Sequence, residues 1–89
     1  HRILYPALGL AGEAGEVANK VKKLIRDGPD GRPEDWREQI SSEIGDVLWY
    51  CAALATDLNL TLGMIASLNE KKLSARKRAG TLGGSGDER

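Results

Sequence analysis

The sequence is poor in the residues that mark several classes of protein. It has no phenylalanine, one cysteine, and only two tryptophans and two tyrosines among 89 residues. A single cysteine excludes an intrachain disulfide, and the apolar run 47–54 around Cys51 predicts a buried core thiol. Neither charge sign is in excess, since 13 basic residues balance 13 acidic ones, so nothing indicates binding to nucleic acid or a membrane. No apolar run approaches the roughly 18 residues of a membrane span, and no signal peptide is visible, which predicts a cytoplasmic protein.

Apolar residues recur at helical spacing in three stretches. They predict helices from Ala7 to about Asp27, from about Pro33 to Leu58 and from about Leu62 to Arg78. The residues before Ala7 are predicted to be an extended lead-in, and the stretch 27–33, rich in glycine and proline, a loop. Asn59 is predicted to be a left-handed cap, and Thr61 the N-cap of the third helix. The fold class is therefore all-α.

The chain is long enough for one small domain, followed by a glycine-rich tail over residues 79–89. Three helices of this size leave much apolar surface uncovered in a monomer. We therefore expect a helical bundle that is completed by oligomerisation.

Two pairs of acids stand out, one on each of the first two helices. Glu13 and Glu16 form the first pair, and Glu43 and Asp46 the second. Residues three apart lie on one face of a helix, so the like charges within each pair repel. Both pairs flank the apolar stripe of their helix, and four carboxylates that meet there require a cation. Hard oxygen ligands suit Mg²⁺, with Mn²⁺ as the alternative, whereas ordinary solvated acids would need no ion.

Glycines interrupt the start of the first helix at Gly9, Gly12 and Gly15. Each costs about 1 kcal/mol relative to alanine within a helix. We interpret them as positions where another helix or a ligand approaches the backbone, although a frayed helix start would explain Gly9 alone. In the third helix, Asn69, Lys72 and Arg76 follow the apolar residues on the same face. That pattern is typical either of a solvated helix end or of an anion site.

Several of these segments together resemble one family. The segments Leu8–Val17 and Glu43–Tyr50 resemble the Glu-Glu-x-x-Glu and Glu-x-x-Asp motifs of the MazG-like all-α nucleoside triphosphate pyrophosphohydrolases. The segment Asn69–Arg76 resembles the family's Asn-x-x-Lys-Leu-x-x-Arg motif, and the ending Gly83–Arg89 resembles the tail of one subgroup. The resemblance implies a single MazG-like domain over residues 1–89, with an N-terminal helix expected to be missing before Tyr5.

The resemblance implies Mg²⁺-dependent cleavage of a (deoxy)nucleoside triphosphate to the monophosphate and pyrophosphate, with a role in house-cleaning of the nucleotide pool. It also implies a dimer or tetramer. Glu13, Glu16, Glu43 and Asp46 would hold the metal, and Glu13 or Glu16 would also orient or deprotonate the attacking water. The substrate-binding residues would be Lys20, Lys23, Trp49, Tyr50, Asn69, Lys72, Arg76, Ser85 and Arg89, with the two aromatic rings as candidates for stacking on the base.

The chain departs from the family motif at one position. Gly12 stands where the family has its first glutamate, so the identity of the general base stays open. Two other functions are compatible with the same residues. One is a phosphoribosyl-ATP pyrophosphohydrolase, and the other is a non-catalytic helical oligomerisation module.

Overall fold

The computed structural model of the chain describes residues 1–80, which form three α-helices and contain no strand. Helix α1 spans Leu4–Gly31, α2 spans Trp36–Asp57 and α3 spans Leu62–Arg78. The prediction of an all-α fold is confirmed. The third helix has the predicted bounds, whereas the first two differ from prediction at their ends.

The predicted extended lead-in before Ala7 is wrong, because α1 already begins at Leu4. Pro6 lies in the first turn of the helix, where its missing N–H has no intrahelical partner to lose. The backbone N–H of Ile3 donates a 2.8 Å hydrogen bond to Oδ2 of Asp57, near the end of α2. This bond attaches the start of α1 to the end of the neighbouring helix.

The predicted loop over residues 27–33 is wrong in extent but right about where the helix breaks. Helical residues continue to Gly31, with one interruption at Gly28, whose φ of 70° and ψ of 179° leave the helical region. Glycine tolerates this positive φ, and Pro29 follows it directly. Helix α2 begins at Trp36 rather than Pro33, since Pro33 instead accepts a 3.3 Å turn hydrogen bond from the N–H of Trp36.

Both predicted caps between α2 and α3 are confirmed. Asn59 has a φ of 62°, and Oγ1 of Thr61 accepts a 3.1 Å hydrogen bond from the N–H of Met64. The chain bends by 94° at this connection. As a result, α3 packs only on α2 and makes no contact with α1 in the described part of the chain. The radius of gyration, 16.5 Å, exceeds the roughly 12 Å of a compact domain of this length.

The apolar core of a single chain is thin. Pro6 and Ala55 are the only buried residues between 1 and 80, and Cys51 is half-exposed, so the prediction of a buried thiol is wrong for the isolated chain. The large apolar side chains that remain exposed are Ile3, Leu4, Tyr5, Leu8, Val21, Ile25, Ile44, Leu48, Trp49, Leu58, Met64, Leu68 and Leu73. The helices thus present apolar surface on faces that no other element of the described chain covers.

Over residues 1–80, no helix taken alone combines the length and apolarity needed to cross a membrane. Helices α2 and α3 meet the length and composition test only as a pair, despite the sharp bend between them.

At Gly9, a side chain of α2 lies directly against the backbone of α1. A Cβ at Gly9 would overlap three ring atoms of Tyr50, one of which, Cδ1, would lie 2.6 Å away. At Gly12 and Gly15, a Cβ would meet nothing within 4 Å in the described chain. The interpretation of close approach is therefore confirmed for Gly9, whereas at Gly12 and Gly15 approach by a ligand or a second subunit stays a prediction.

From this contact we predict how two matched variants change the free energy of unfolding. We expect Gly9→Ala to destabilise the protein by about 1–3 kcal/mol, because the ring of Tyr50 has to move away from the new methyl group. We expect Gly12→Ala to stabilise it by about 0.5–1 kcal/mol, because alanine is the better helix former and meets open space. Urea unfolding at one fixed protein concentration measures both, and a gain in stability in both variants would contradict the Gly9–Tyr50 contact.

Candidate active site

Three carboxylates meet between α1 and α2. One oxygen from each of Glu13, Glu43 and Asp46 lies within 4.8 Å of the others. Glu43 and Asp46 are one turn apart on α2, which places them on one face, and Glu13 reaches them from α1. Glu13 and Glu43 are half-buried and Asp46 is exposed. We call these three residues the carboxylate triad.

The charges of the triad act on one another. The pKa of Glu13 is raised above its ordinary value, first by partial burial and then by the negative charges of Asp46, Glu43 and Glu16. Both causes disfavour an ionised carboxylate, so ionisation of Glu13 raises the free energy of the folded protein. A bound divalent cation would relieve this repulsion.

Glu16 lies outside the triad. It is exposed, and at 100° per residue it is about 60° around α1 from Glu13. Its charge still contributes to the raised pKa of Glu13. The structure therefore brings together three of the four acids that the sequence predicted as a group, and leaves the fourth at the margin.

Two cavities adjoin the triad, one towards each end of α2. The first has a volume of about 390 Å³ and is lined by Glu13, Asp46, Trp49 and Tyr50. The second has a volume of about 310 Å³ and is lined by Lys20, Asp35, Glu38, Gln39, Ser42 and Glu43. Early residues of α1 thus face late residues of α2, and the two helices are antiparallel. The triad lies between the two cavities and contributes residues to both.

Comparison with known proteins assigns the chain to a family. The sequence profile of the MazG nucleotide pyrophosphohydrolase domain matches residues 5–80. This chain belongs to the MazG nucleotide pyrophosphohydrolase family. It is also similar to the Gene 37 protein of Mycobacterium phage L5, with 46% identity over 85 residues, which are 96% of this chain and 75% of that protein. No solved structure matches the chain.

The triad of this MazG domain fits a hard divalent cation. Its three ligands are carboxylates, and within residues 1–80 the cluster includes no histidine or cysteine. Mg²⁺ and Mn²⁺ prefer such oxygen ligands, and Mg²⁺ keeps several waters when only a few protein oxygens are available. The negative charges of Asp46 and Glu43, which together with burial raise the pKa of Glu13, are charges that a bound cation would offset.

The four cationic residues and one asparagine predicted to bind substrate in the MazG domain divide between α1 and α3. Lys20 is half-buried and lines the second cavity together with Glu43, whereas Lys23 is exposed and lines neither cavity beside the triad. Asn69 and Lys72 line a separate, mainly apolar cavity of about 410 Å³ on α3, and Arg76 lies one turn further along that helix. Since α3 does not touch α1, these three residues are remote from Glu13 within one chain.

The remaining predicted residues have different positions. Trp49 and Tyr50 both line the first cavity, whereas Ser85 and Arg89 lie outside the described residues. Sequence reasoning missed Glu38 and Ser42 in the second cavity. Their spacing along α2, about one turn from Ser42 to Asp46 and another from Ser42 to Glu38, is the signal that places them on the same side as the triad.

Proposed function

We propose that this MazG domain is a Mg²⁺-dependent nucleoside triphosphate pyrophosphohydrolase. It would cleave a (deoxy)nucleoside triphosphate to the monophosphate and pyrophosphate, and so remove unwanted nucleotides from the cellular pool. The carboxylate triad between two cavities carries this proposal, because a triphosphate needs a hard cation beside room for a nucleoside on one side and phosphates on the other. Membership of the family supports it.

The chemistry requires charge neutralisation and a positioned water. When bound, Mg²⁺, or Mn²⁺ in its place, would neutralise charge on the phosphate oxygens. Glu13, Glu43 and Asp46 would hold it. Glu16 is not committed to the triad and is one turn away from it, so its carboxylate is available to accept the proton of the attacking water. We therefore assign Glu16 as the general base and Glu13 as a ligand.

The leaving pyrophosphate would lie on the side of the second cavity. Lys20 is the cation that lines it, and the hydroxyl of Ser42 provides a further hydrogen-bond donor there, whereas the amide of Gln39 already donates to Oδ1 of Asp35. Lys23 is one turn from Lys20 and exposed, which lets it contribute charge at the entrance. Asn69, Lys72 and Arg76 would reach the phosphates from α3 of another subunit, since α3 of the same chain makes no contact with α1.

The proposed enzyme is a homo-oligomer, either a dimer or a tetramer. Within an arc of about 140° on α1, eight exposed residues are apolar or glycine, and the exposed Lys22 and Arg26 interrupt them. The eight are Leu4, Leu8, Ala11, Ala14, Gly15, Ala18, Val21 and Ile25. The opposite side of α1 already packs on α2, so a second subunit is needed to cover this exposed, mainly apolar face. Small residues in the middle of the arc, Gly15 included, permit close approach of that partner.

Pyrophosphate release from a panel of nucleotides tests the activity. The panel contains the standard ribonucleoside and deoxyribonucleoside triphosphates, several modified bases and phosphoribosyl-ATP, each with and without Mg²⁺. Release from at least one nucleoside triphosphate that depends on the metal supports the proposal. Release from phosphoribosyl-ATP alone would assign the alternative enzyme. No release, together with no stabilisation of the fold by millimolar Mg²⁺, would indicate a non-catalytic oligomerisation module.

The raised pKa of Glu13 predicts opposite pH dependences with and without metal. The ordinary value is 4.5, and the folded protein keeps its proton to a higher pH than the unfolded chain does. Without metal, the contribution of Glu13 to stability is therefore present at acidic pH and is lost as pH rises through the window above 4.5. Mg²⁺ competes with that proton, so its affinity should fall as the pH is lowered through the same window.

Thermal unfolding as a function of pH, with and without Mg²⁺, measures both trends. In Glu13→Gln the metal-free decline that comes from Glu13 should disappear, because a neutral amide does not titrate. An unchanged pH profile in that variant would contradict the assignment of the shift to Glu13.

A further inference from the structure

Trp49 is an exposed aromatic side chain beside the carboxylate triad. It is 65% exposed, yet it lines the same cavity as Glu13 and Asp46 of the carboxylate triad. Asp46 and Trp49 are three residues apart on α2, so the indole and the carboxylate project on one side of the helix. An uncovered aromatic surface thus lies beside a site for a cation.

Tyr50 has a different environment, although it is the next residue. It is half-buried, with its ring against the backbone of α1 at Gly9, where even a methyl group would overlap it. The ring of Trp49 meets that of Tyr50 edge to face, with centroids 5.0 Å apart and planes at 88°. The backbone at Gly9 therefore fixes the ring of Tyr50, and the ring of Tyr50 in turn supports that of Trp49.

We infer that Trp49 is the surface on which the nucleobase stacks, and that Tyr50 positions Trp49 without contacting the base. The inference deepens the proposed function and rests on it, because it assumes a nucleotide in this cavity. The perpendicular contact with Tyr50 leaves the flat faces of the indole available for stacking. The ring of Tyr50, by contrast, contacts both the backbone at Gly9 and the ring of Trp49. The structure thereby separates two aromatic residues that are equivalent candidates in the sequence.

The positions of Trp49, the triad and Lys20 also define how the bound nucleotide is oriented in the site. The base lies at the Trp49 end, the α-phosphate lies over the triad, and the β- and γ-phosphates point towards Lys20 in the second cavity. Because stacking on an indole is available to any base, Trp49 supplies affinity for a nucleoside and little choice among bases.

Fluorescence tests the stacking directly and needs no catalysis. In Trp36→Phe, which removes the tryptophan at the start of α2 outside the site, Trp49 is the single indole reporter. Each nucleoside monophosphate, which is a product and is not hydrolysed, is titrated in millimolar Mg²⁺, with ribose 5-phosphate as the probe that has no base, and with free N-acetyltryptophanamide as the correction for light absorbed by the bases. Saturable quenching by the monophosphates and none by ribose 5-phosphate is expected. Equal quenching by the two, or none by either, would overturn the inference.

Kinetics tests the same point and separates it from the activity itself. We expect Trp49→Ala to raise KM by about tenfold with little change in kcat, Trp49→Phe to restore most of the affinity, and Trp36→Phe to match the wild type. Tyr50→Leu should raise KM as well, while Tyr50→Phe should behave as the wild type because it keeps the supporting ring. If Trp49→Ala releases pyrophosphate with an unaltered KM, the stacking role is contradicted and the proposed activity is not. If the monophosphates quench Trp49 but no nucleotide releases pyrophosphate, the proposed activity is contradicted and the stacking role is not.

The exposed indole could instead be covered by a second copy of the chain. Sedimentation of Trp49→Ala and Trp49→Phe decides this. Assembly as in the wild type is expected for both, and dissociation of Trp49→Ala into monomers would assign Trp49 to a subunit interface and overturn the inference.

Discussion

Replacing Glu43 by glutamine should abolish Mg²⁺-dependent pyrophosphate release, whereas replacing Glu16 should lower turnover and leave Mg²⁺ affinity unchanged. Glu43 is one of the three residues whose carboxylate oxygens converge, and Glu16 is not. A metal ion provides several kcal/mol of charge stabilisation in such reactions, so loss of a ligand is expected to cost roughly a thousandfold in kcat/KM. Asp46→Asn should behave like Glu43→Gln.

The two classes of variant should also differ without substrate. Removing one negative charge from the triad relieves repulsion, so we expect metal-free Glu43→Gln to be at least as stable as the wild type, and millimolar Mg²⁺ to stabilise it less. Glu16→Gln should keep the full stabilisation by Mg²⁺. Glu34→Gln, on the exposed segment before α2, is the matched control and should be normal in both assays. Near-normal turnover in Glu43→Gln, or loss of Mg²⁺ binding in Glu16→Gln, would show that the roles are wrongly divided.

A charge placed on the uncovered apolar surface should prevent assembly. Leu48 is 54% exposed on α2, and Ile44, one turn before it, is 45% exposed. If a second subunit covers this surface, Leu48→Asp buries an unpaired carboxylate, which costs several kcal/mol. In an interface between identical chains the cost is incurred twice, so we expect at least about a hundredfold weaker association.

Because the core of one chain is thin, loss of assembly should also unfold the protein. Sedimentation velocity and circular dichroism of Leu48→Asp should therefore show monomers with reduced helicity, and the Tm of the wild type should rise with protein concentration. Ser74→Asp introduces the same charge on the exposed side of α3 and should assemble normally. A wild-type chain that sediments as a folded monomer at micromolar concentration would refute the proposed oligomer.

Local chemistry in the sequence determined much of this protein. The bounds of α3, the positive φ of Asn59 and the Thr61 cap all depend on residues within a few positions of one another, and each was predicted correctly. The spacing of Glu43 and Asp46 by one turn likewise follows from helical geometry alone. The family motifs added the expectation that these acids form one site.

The tertiary structure decided which residues meet, because contacts between helices depend on the rotation and crossing of the helices and not on spacing along one of them. Glu13 and Glu16 have the same status in the sequence, yet only Glu13 faces α2 closely enough to join the triad. Gly9 and Gly12 are likewise equivalent in the sequence, but the ring of Tyr50 lies over Gly9. The bend after Asp57 turns α3 away from α1, which separates Lys72 from Glu13 of its own chain.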